Sequence, residues 1–239
     1  MKFLYLEEID STNKYAKQNI ISIEDMTVVY TSKQTAGRGR LQRQWNYVGE
    51  NNIYASIVLK PSKELKEIYS NLTQYLCVIL AEVFEEYGVI PKIKWPNDIR
   101  INGKKISGIL AESVINGNAL EGIILGFGIN LNCKKDIVEN INQPATSLNL
   151  ETFKEIDSKD FLKKVIDKFC LRYNKFIEEG FLLIREDYIR RAEFLNTPVT
   201  VRVYDREISG LATDVTKTGA LKIIDINNKE HVLLIGDIL

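Results

Sequence analysis

Four short segments hold most of the residue types that could do chemistry. The first is Gly37-Arg38-Gly39-Arg40-Leu41-Gln42-Arg43-Gln44-Trp45, which sets two arginines among glycines and closes on a tryptophan. From Met26 to Gly49 there are four basic residues and no acidic one. Glycines let backbone come close to a ligand, and guanidinium forks grip carboxylate or phosphate through paired hydrogen bonds. Trp45 adds a flat face for stacking on a ring. The segment suits a ligand with a carboxylate, phosphates and an aromatic ring; a solvated basic loop or a nucleic-acid arm has the same composition. The second segment, Lys94-Trp95-Pro96-Asn97-Asp98, holds a cation, an amide and a carboxylate in a frame stiffened by proline. Its plain alternative is a strand-to-turn joint capped by Asp98. The third is Lys105 after the Asn102-Gly103 turn, with Ser107-Gly108 behind it. Strand alternation sends Lys104 and Lys105 to opposite faces, one solvated and one free to face a site. The fourth is Gly126-Phe127-Gly128-Ile129-Asn130, where glycines inside a strand mark close approach of a ligand or another backbone, or else a bulge.

Other chemistries fall away. His231 is the only histidine, and its neighbours Glu230 and Val232 read as a surface strand near the end of the 239 residues. Cys77, Cys133 and Cys170 are odd in number and far apart, which fits reduced cytoplasmic thiols and neither a disulfide framework nor a zinc site. Lys and Arg number 32, as do Asp and Glu, so no global field draws the chain to nucleic acid or anionic lipid. Residues 1–10 include acidic side chains and no long apolar run, unlike a signal peptide, and no stretch approaches the roughly 20 apolar residues of a membrane span. The chemistry therefore falls to Lys, Arg, Asp, Asn and backbone groups.

The elements that must position these groups are legible as periodicities. Asp10 or Ser11 can cap a short helix over 12–19. Strands are expected over 27–31 and 52–60, with a long loop over 33–50 between them. Leu72, Tyr75, Leu76, Ile79, Leu80, Val83 and Tyr87 share one helical face, with Cys77 inside that helix. Strands over 92–95, 99–101, 105–114 and 120–131 form a meander with Asn102-Gly103 and Asn116-Gly117 as two-residue turns. A helix over 159–179 stops at Gly180, and a second covers 182–193. After Asn196-Thr197-Pro198 only short strands remain, over 199–204, 207–215, 220–225 and 231–235. About 42 residues are few for independent folding, so this module leans on the rest. The fold class is α+β followed by a small β-barrel, divided into residues 1–195 and 196–239.

Taken together and in this order, the segments resemble biotin protein ligase, the biotin–acetyl-CoA-carboxylase ligase family. The matching pieces are Asp10-Ser11-Thr12-Asn13, Gln34 with the Gly37–Trp45 segment, Lys94-Trp95-Pro96-Asn97-Asp98, and Lys105-Ile106-Ser107-Gly108. Gly126-Phe127-Gly128-Ile129-Asn130 and Ala145-Thr146-Ser147-Leu148 complete them. The resemblance spans nearly the whole chain. It implies a mainly antiparallel mixed sheet packed with helices, like class II aminoacyl-tRNA synthetases, and a C-terminal SH3-like β-barrel.

The resemblance also implies a two-step reaction. Biotin and ATP, with Mg²⁺, give biotinyl-5′-AMP and pyrophosphate; the acyl group then passes to a lysine of a biotin carboxyl carrier protein. By resemblance, Ser11, Thr12 and Gln34 hold the ureido end of biotin, Gly37, Gly108 and Gly126 line it, and Lys105 meets its carboxylate and the α-phosphate. Arg38 and Arg40 carry the loop that closes on biotin and the adenylate. Trp45 covers the adenine, Asn130 bonds its edge, and Asn97 lies near the phosphates and metal. Asp98 is the candidate base for the acceptor lysine. Some family members begin with a winged-helix DNA-binding domain; Asp10-Ser11-Thr12-Asn13 stands too early to leave room for one, so nucleic acid and membrane are not expected partners. The family also forms homodimers by pairing catalytic sheets. Ala212-Thr213-Asp214 departs from the family's usual Gly-Ile-Asp. Lipoate–protein ligase, with the same adenylate logic and a different arginine loop, is the alternative.

Overall fold

The computed structural model describes residues 1–61 and 67–239. The chain opens with β1 (Lys2–Ile9), α1 (Thr12–Gln18) and β2 (Thr27–Gln34). The arginine segment holds β3 (Gly37–Arg38) and β4 (Gln44–Trp45), and β5 (Ile53–Leu59) and α2 (Leu72–Glu86) follow. Next come β6 (Lys92–Lys94), β7 (Asp98–Ile101), β8 (Lys104–Asn116) and β9 (Ala119–Ile129). Four helices succeed them: α3 (Lys135–Glu139), α4 (Leu148–Thr152), α5 (Ser158–Glu179) and α6 (Arg185–Arg191). The chain ends in β10 (Pro198–Val203), β11 (Arg206–Val215), β12 (Leu221–Ile224), β13 (Glu230–Leu233) and β14 (Asp237–Ile238).

Seven strands form one mixed sheet in the order β1-β2-β5-β9-β8-β7-β6. Only β1 and β2 run parallel, joined through α1; the other pairs are antiparallel, and β6 to β9 form the expected meander. Asn102 and Gly103 both take positive φ, as their two-residue turn requires. The second turn differs from expectation. Asn116 still pairs with Ala119, so Gly117 and Asn118 make the turn, and Gly117 takes the positive φ. Residues 2–9 lack a clean alternation because β1 is a largely solvated edge, yet the strand forms against β2.

The sheet has two unlike faces. Ala55, Ile57, Leu125, Phe127 and Ile129 join Leu76, Ile79 and Val83 of α2 and Phe161, Val165 and Phe169 of α5 in the main core. Asp157 caps α5 by accepting from Lys159 and Asp160 amides, and Gly180 ends it. Cys77 lies wholly buried in this layer. On the opposite face Ala16 and Ile20 pack over Val29, Val58 and Ile124, covering only part of the sheet. The uncovered part is where glycines cluster.

The last five strands form an antiparallel sheet in the order β13-β12-β11-β10-β14. Strand β14, unforeseen because it has only two residues, pairs with β10. Val201, Ala212, Val215, Leu221 and Ile223 belong to the same core as the large sheet. Asn71 and Gln74 at the start of α2 donate to the carbonyls of Thr218 and Gly219, and Arg185 of α6 holds Asp214 at 2.6 Å. The single histidine pairs with Asp225 at 2.8 Å, remote from the cavity described next. Among the described residues no helix is long and apolar enough to cross a membrane.

Candidate active site

A cleft of about 770 Å³, counting its open mouth, lies on the glycine-bearing face. Residues of α1, β2, the arginine segment, β5, β7, β8, β9 and β14 line it. Alternation explains the face. Gly126 and Gly128 are two apart on β9, and Gly108 pairs with Gly128 and, on its other side, with Asp98. A row Asp98–Gly108–Gly128–Tyr54 thus crosses four strands with two positions lacking side chains. Neither Gly126 nor Gly128 sits at a register shift, so close approach is what they serve. A Cβ at Gly128 would overlap the Trp45 indole, and one at Gly126 would overlap the Asn13 side chain.

One end of the cleft is a buried, polar, largely uncharged floor. Ser11, Thr12, Asn13 and Gln34 are all under a tenth exposed. Ser11 caps α1, so the turn that starts the helix also fixes Thr12 and Asn13. Gln34 Oε1 accepts from the Thr12 amide at 3.0 Å and lies 3.3 Å from its hydroxyl. Ser56, fully buried on β5, lies 2.7 Å from Thr12 Oγ1 and 2.6 Å from Asn13 Oδ1.

The other end is charged. Lys105 Nζ lies 2.8 Å from Asp98 Oδ1 and 5.5 Å from the centre of the Trp45 ring. Lys104, its neighbour, points to solvent, as alternation requires. The loop carrying Arg38 and Arg40 is no plain loop: β3 and β4 pair as a small hairpin, Gly37 with Trp45 and Arg38 with Gln44. Gly37 is needed there because Trp45 and Gln34 crowd the position of its missing Cβ. Arg40 Nη1 reaches Asn97 Oδ1 at 3.3 Å and Asp237 Oδ1 at 3.0 Å, while Nη2 donates to the Gly236 carbonyl at 3.0 Å. Arg43 stands 3.6 Å from Asp237 Oδ2, which is buried without a hydrogen bond among the described residues. Arg38 is exposed and makes no ion pair among the described residues. Lys94, half-buried behind this end, has its ammonium pKa lowered by burial and then by Arg100.

The fold therefore brings Ser11, Thr12, Gln34, Arg38, Arg40, Trp45, Asn97, Asp98, Lys105, Gly108 and Gly126 to one cleft. Gly37 stands behind the lining, and Asn130 lies in an adjoining hollow shared with Trp45 and Lys105, donating to the Thr146 carbonyl at 3.0 Å. Sequence reasoning did not select Asn13, Gly128, Gln143 or Asp237, which also line the cleft. Asn13 and Gly128 belong to the Asp10–Asn13 and Gly126–Asn130 segments; Asp237 carries no local signal, since only the return of β14 onto β10 delivers it. The described residues hold no cluster of three His, Cys, Asp or Glu suited to a metal ion.

A cation–carboxylate pair and arginines at one end, with a neutral hydrogen-bonding floor at the other, define a site for an elongated molecule with an acid group. Residues 5–130, more than half the chain, match the biotin/lipoate A/B protein ligase family. The chain belongs to that family. The bifunctional ligase/repressor BirA of Bacillus subtilis is 32% identical over 91% of this chain and 68% of its own length. The biotin–acetyl-CoA-carboxylase ligase of Paracoccus denitrificans is 30% identical over 90% of this chain and 91% of its own. Among solved structures, the Aquifex aeolicus biotin protein ligase in complex with biotin and ATP superposes with a TM-score of 0.84 at 29% identity, covering 100% of this chain and 97% of that one.

Proposed function

We propose that this chain is an ATP-dependent biotin protein ligase. Lys105 carries the reading: it is a cation lining the charged end of the cleft, held there by Asp98. In the first step the biotin carboxylate attacks the α-phosphorus of ATP; an O–P bond forms, the α–β bridge breaks, and pyrophosphate leaves. Two anions must meet, and a positioned ammonium with guanidinium groups offsets their repulsion most as the pentavalent phosphorus forms. Lys105 serves there, with Arg38 and Arg40 on the closing hairpin. Ser11, Thr12 and Gln34 take the ureido ring, with Gly37, Gly108 and Gly126 giving the walls their clearance. Trp45 covers the adenine and Asn130 bonds its edge. Asn97, whose Oδ1 lies 3.3 Å from Arg40, would stand near the phosphates and the Mg²⁺ they carry as part of the ATP substrate.

In the second step the amine of a lysine on a biotin carboxyl carrier protein attacks the mixed anhydride and AMP departs. At a pKa of about 10.4, roughly one lysine in 2,500 is neutral at pH 7, so a carboxylate that takes the proton helps. Asp98 has this part. Its oxygen is bound by Lys105 in the free protein, and the swing of Lys105 to the adenylate releases it. The division into residues 1–195 for catalysis and 196–239 for a barrel follows the two sheets, with the barrel supplying Asp237. Three unpaired thiols suit the cytoplasm. Strand β8 runs on past the end of β7, and its edge beyond Ile109, where pairing with the β7 side ends, suits pairing of two copies.

Transfer of biotin to a purified apo carrier domain tests the reading. Label on the carrier lysine, dependent on ATP and biotin, is the expected result, and its absence with an accepted carrier overturns it. Asp98→Asn should slow single-turnover transfer from preformed adenylate; an unchanged rate removes the base role.

A further inference from the structure

The floor of the cleft is wired to a carboxylate that does not line it. Glu112 of β8 accepts from Asn13 Nδ2 at 2.9 Å through one oxygen and from Lys17 Nζ at 2.9 Å through the other. Asn13 Oδ1 faces the Ser56 hydroxyl at 2.6 Å, and Ser56 in turn faces Thr12 Oγ1 at 2.7 Å. We propose that Glu112, Asn13 and Ser56 form a positioning relay that fixes the polarity of Thr12 and makes the pocket select a ring N–H donor. This rests on the ligase reading above and names the chemistry by which its floor recognises the acid.

An ionised carboxylate only accepts, so the amide of Asn13 must turn its NH₂ to Glu112. The Leu110 carbonyl, 3.4 Å from the same nitrogen, also only accepts. Asn13 Oδ1 therefore faces Ser56 as an acceptor, and the single Ser56 proton has a fixed target. Once the Ser56 proton is committed to Asn13, its oxygen 2.7 Å from Thr12 Oγ1 is left only to accept, and Gln34 Oε1 at 3.3 Å accepts as well, so the Thr12 proton stays inside the protein. With it held there, Thr12 turns only lone pairs to the cleft. A cyclic urea presents N–H groups and is matched; a dithiolane or a ring oxygen is not. Lys17 keeps Glu112 charged: burial opposes ionisation, but hydrogen bonds from Lys17 and Asn13 outweigh it and hold the carboxyl below the usual range. The glycine at 126 belongs to the device, since a Cβ there would displace Asn13.

Calorimetric titration with biotin, and with analogues in which one or the other ring N–H is replaced by oxygen, tests this in the full chain. Wild-type protein should prefer biotin over the weaker analogue by about 100-fold or more, since a site built around a donor rejects its absence. Glu112→Gln keeps the shape but lets either end of its amide face Asn13, and Ser56→Ala cuts the chain of hydroxyls. Each should lower that preference at least about tenfold, the size of one directed hydrogen bond. The KM for biotin should rise and the KM for ATP should not, a split that general loosening would not produce. Should buried Ser56→Ala fail to fold, Glu112→Gln at the partly exposed end decides alone. Full preference retained in folded Glu112→Gln overturns the relay, as does a wild-type protein that binds biotin and both analogues equally, which leaves the ligase reading standing. A wild-type protein that binds lipoate and no biotin overturns that reading, and this inference with it.

Discussion

The two ends of the cleft are built differently. The floor uses buried residues seated on regular elements: Ser11, Thr12 and Asn13 at the start of α1, Gln34 on β2 and Ser56 on β5, with Thr12 bonded to Gln34 and Ser56, Asn13 to Ser56, and Ser11 capping the helix. The charged end uses long side chains on a hairpin with two residues a side, Arg40 of which is tied across the molecule to Asn97 and to Asp237 of the small sheet. The floor has its geometry before substrate arrives. At the other end two of the cations already have partners: Lys105 holds Asp98, and Arg40 holds Asp237. These must exchange partners when phosphates arrive. A fixed floor suits recognition of a neutral ring, where the wrong group is refused by unmatched hydrogen bonds. Exchangeable cations suit a reaction in which negative charge first gathers and then leaves with pyrophosphate.

The largest effect that should separate the ends is at Lys105. Lys105→Ala is expected to slow adenylate formation by about a thousandfold or more, with biotin affinity falling far less, because its charge is needed most in the transition state. Rapid-quench kinetics beside calorimetry measure both, and equal losses would contradict the assignment. Next come Gly126 and Gly128, the cleft glycines of β9. Gly126→Ala displaces Asn13 and should raise the KM for biotin by about 100-fold with little change for ATP. Gly128→Ala displaces Trp45 and should do the reverse; matching effects on both substrates would erase the division. Trp45→Ala should weaken ATP by about tenfold and biotin less, in keeping with one lost stacking surface.

Smaller effects sharpen the contrast. Asp237→Asn loosens the hold on Arg40 and Arg43, and should change the KM for ATP by about threefold while leaving the biotin KM alone. The floor has its own pH signature. The Glu112 carboxyl lies below its ordinary value in the folded protein, so its contribution is fully present above the ordinary carboxylate range. It is lost as pH falls through the lowered value. Biotin affinity should stay flat from pH 7 to about 5 and weaken only below, and Glu112→Gln should remove that acid limb in titrations followed by calorimetry.

Much of the site could be read from residue types and alternation. Gly126 and Gly128 two apart, and Lys104 beside Lys105, state which face each occupies once the strands are known. The Ser11 cap places Thr12 at a helix start for the same local reason. What escaped depends on long-range pairing. Glu112 meets Asn13 across 99 positions, and Arg40 meets the Gly236–Asp237 segment across 196. No local pattern announces either contact. The hairpin inside the arginine segment has two residues a side, too few for a period to show. Strand β1 is hidden for another reason: as a solvated parallel edge it needs no buried face, so charges and aromatics interrupt its pattern.

The central claim is that the cleft joins the carboxylate of biotin to the α-phosphate of ATP. ATP–pyrophosphate exchange, run with the full chain, MgATP and either biotin or lipoate, tests it most directly. The account predicts exchange that depends on biotin, is abolished in Lys105→Ala and is absent with lipoate. Exchange with lipoate in place of biotin, or none with either despite tight biotin binding, would contradict it.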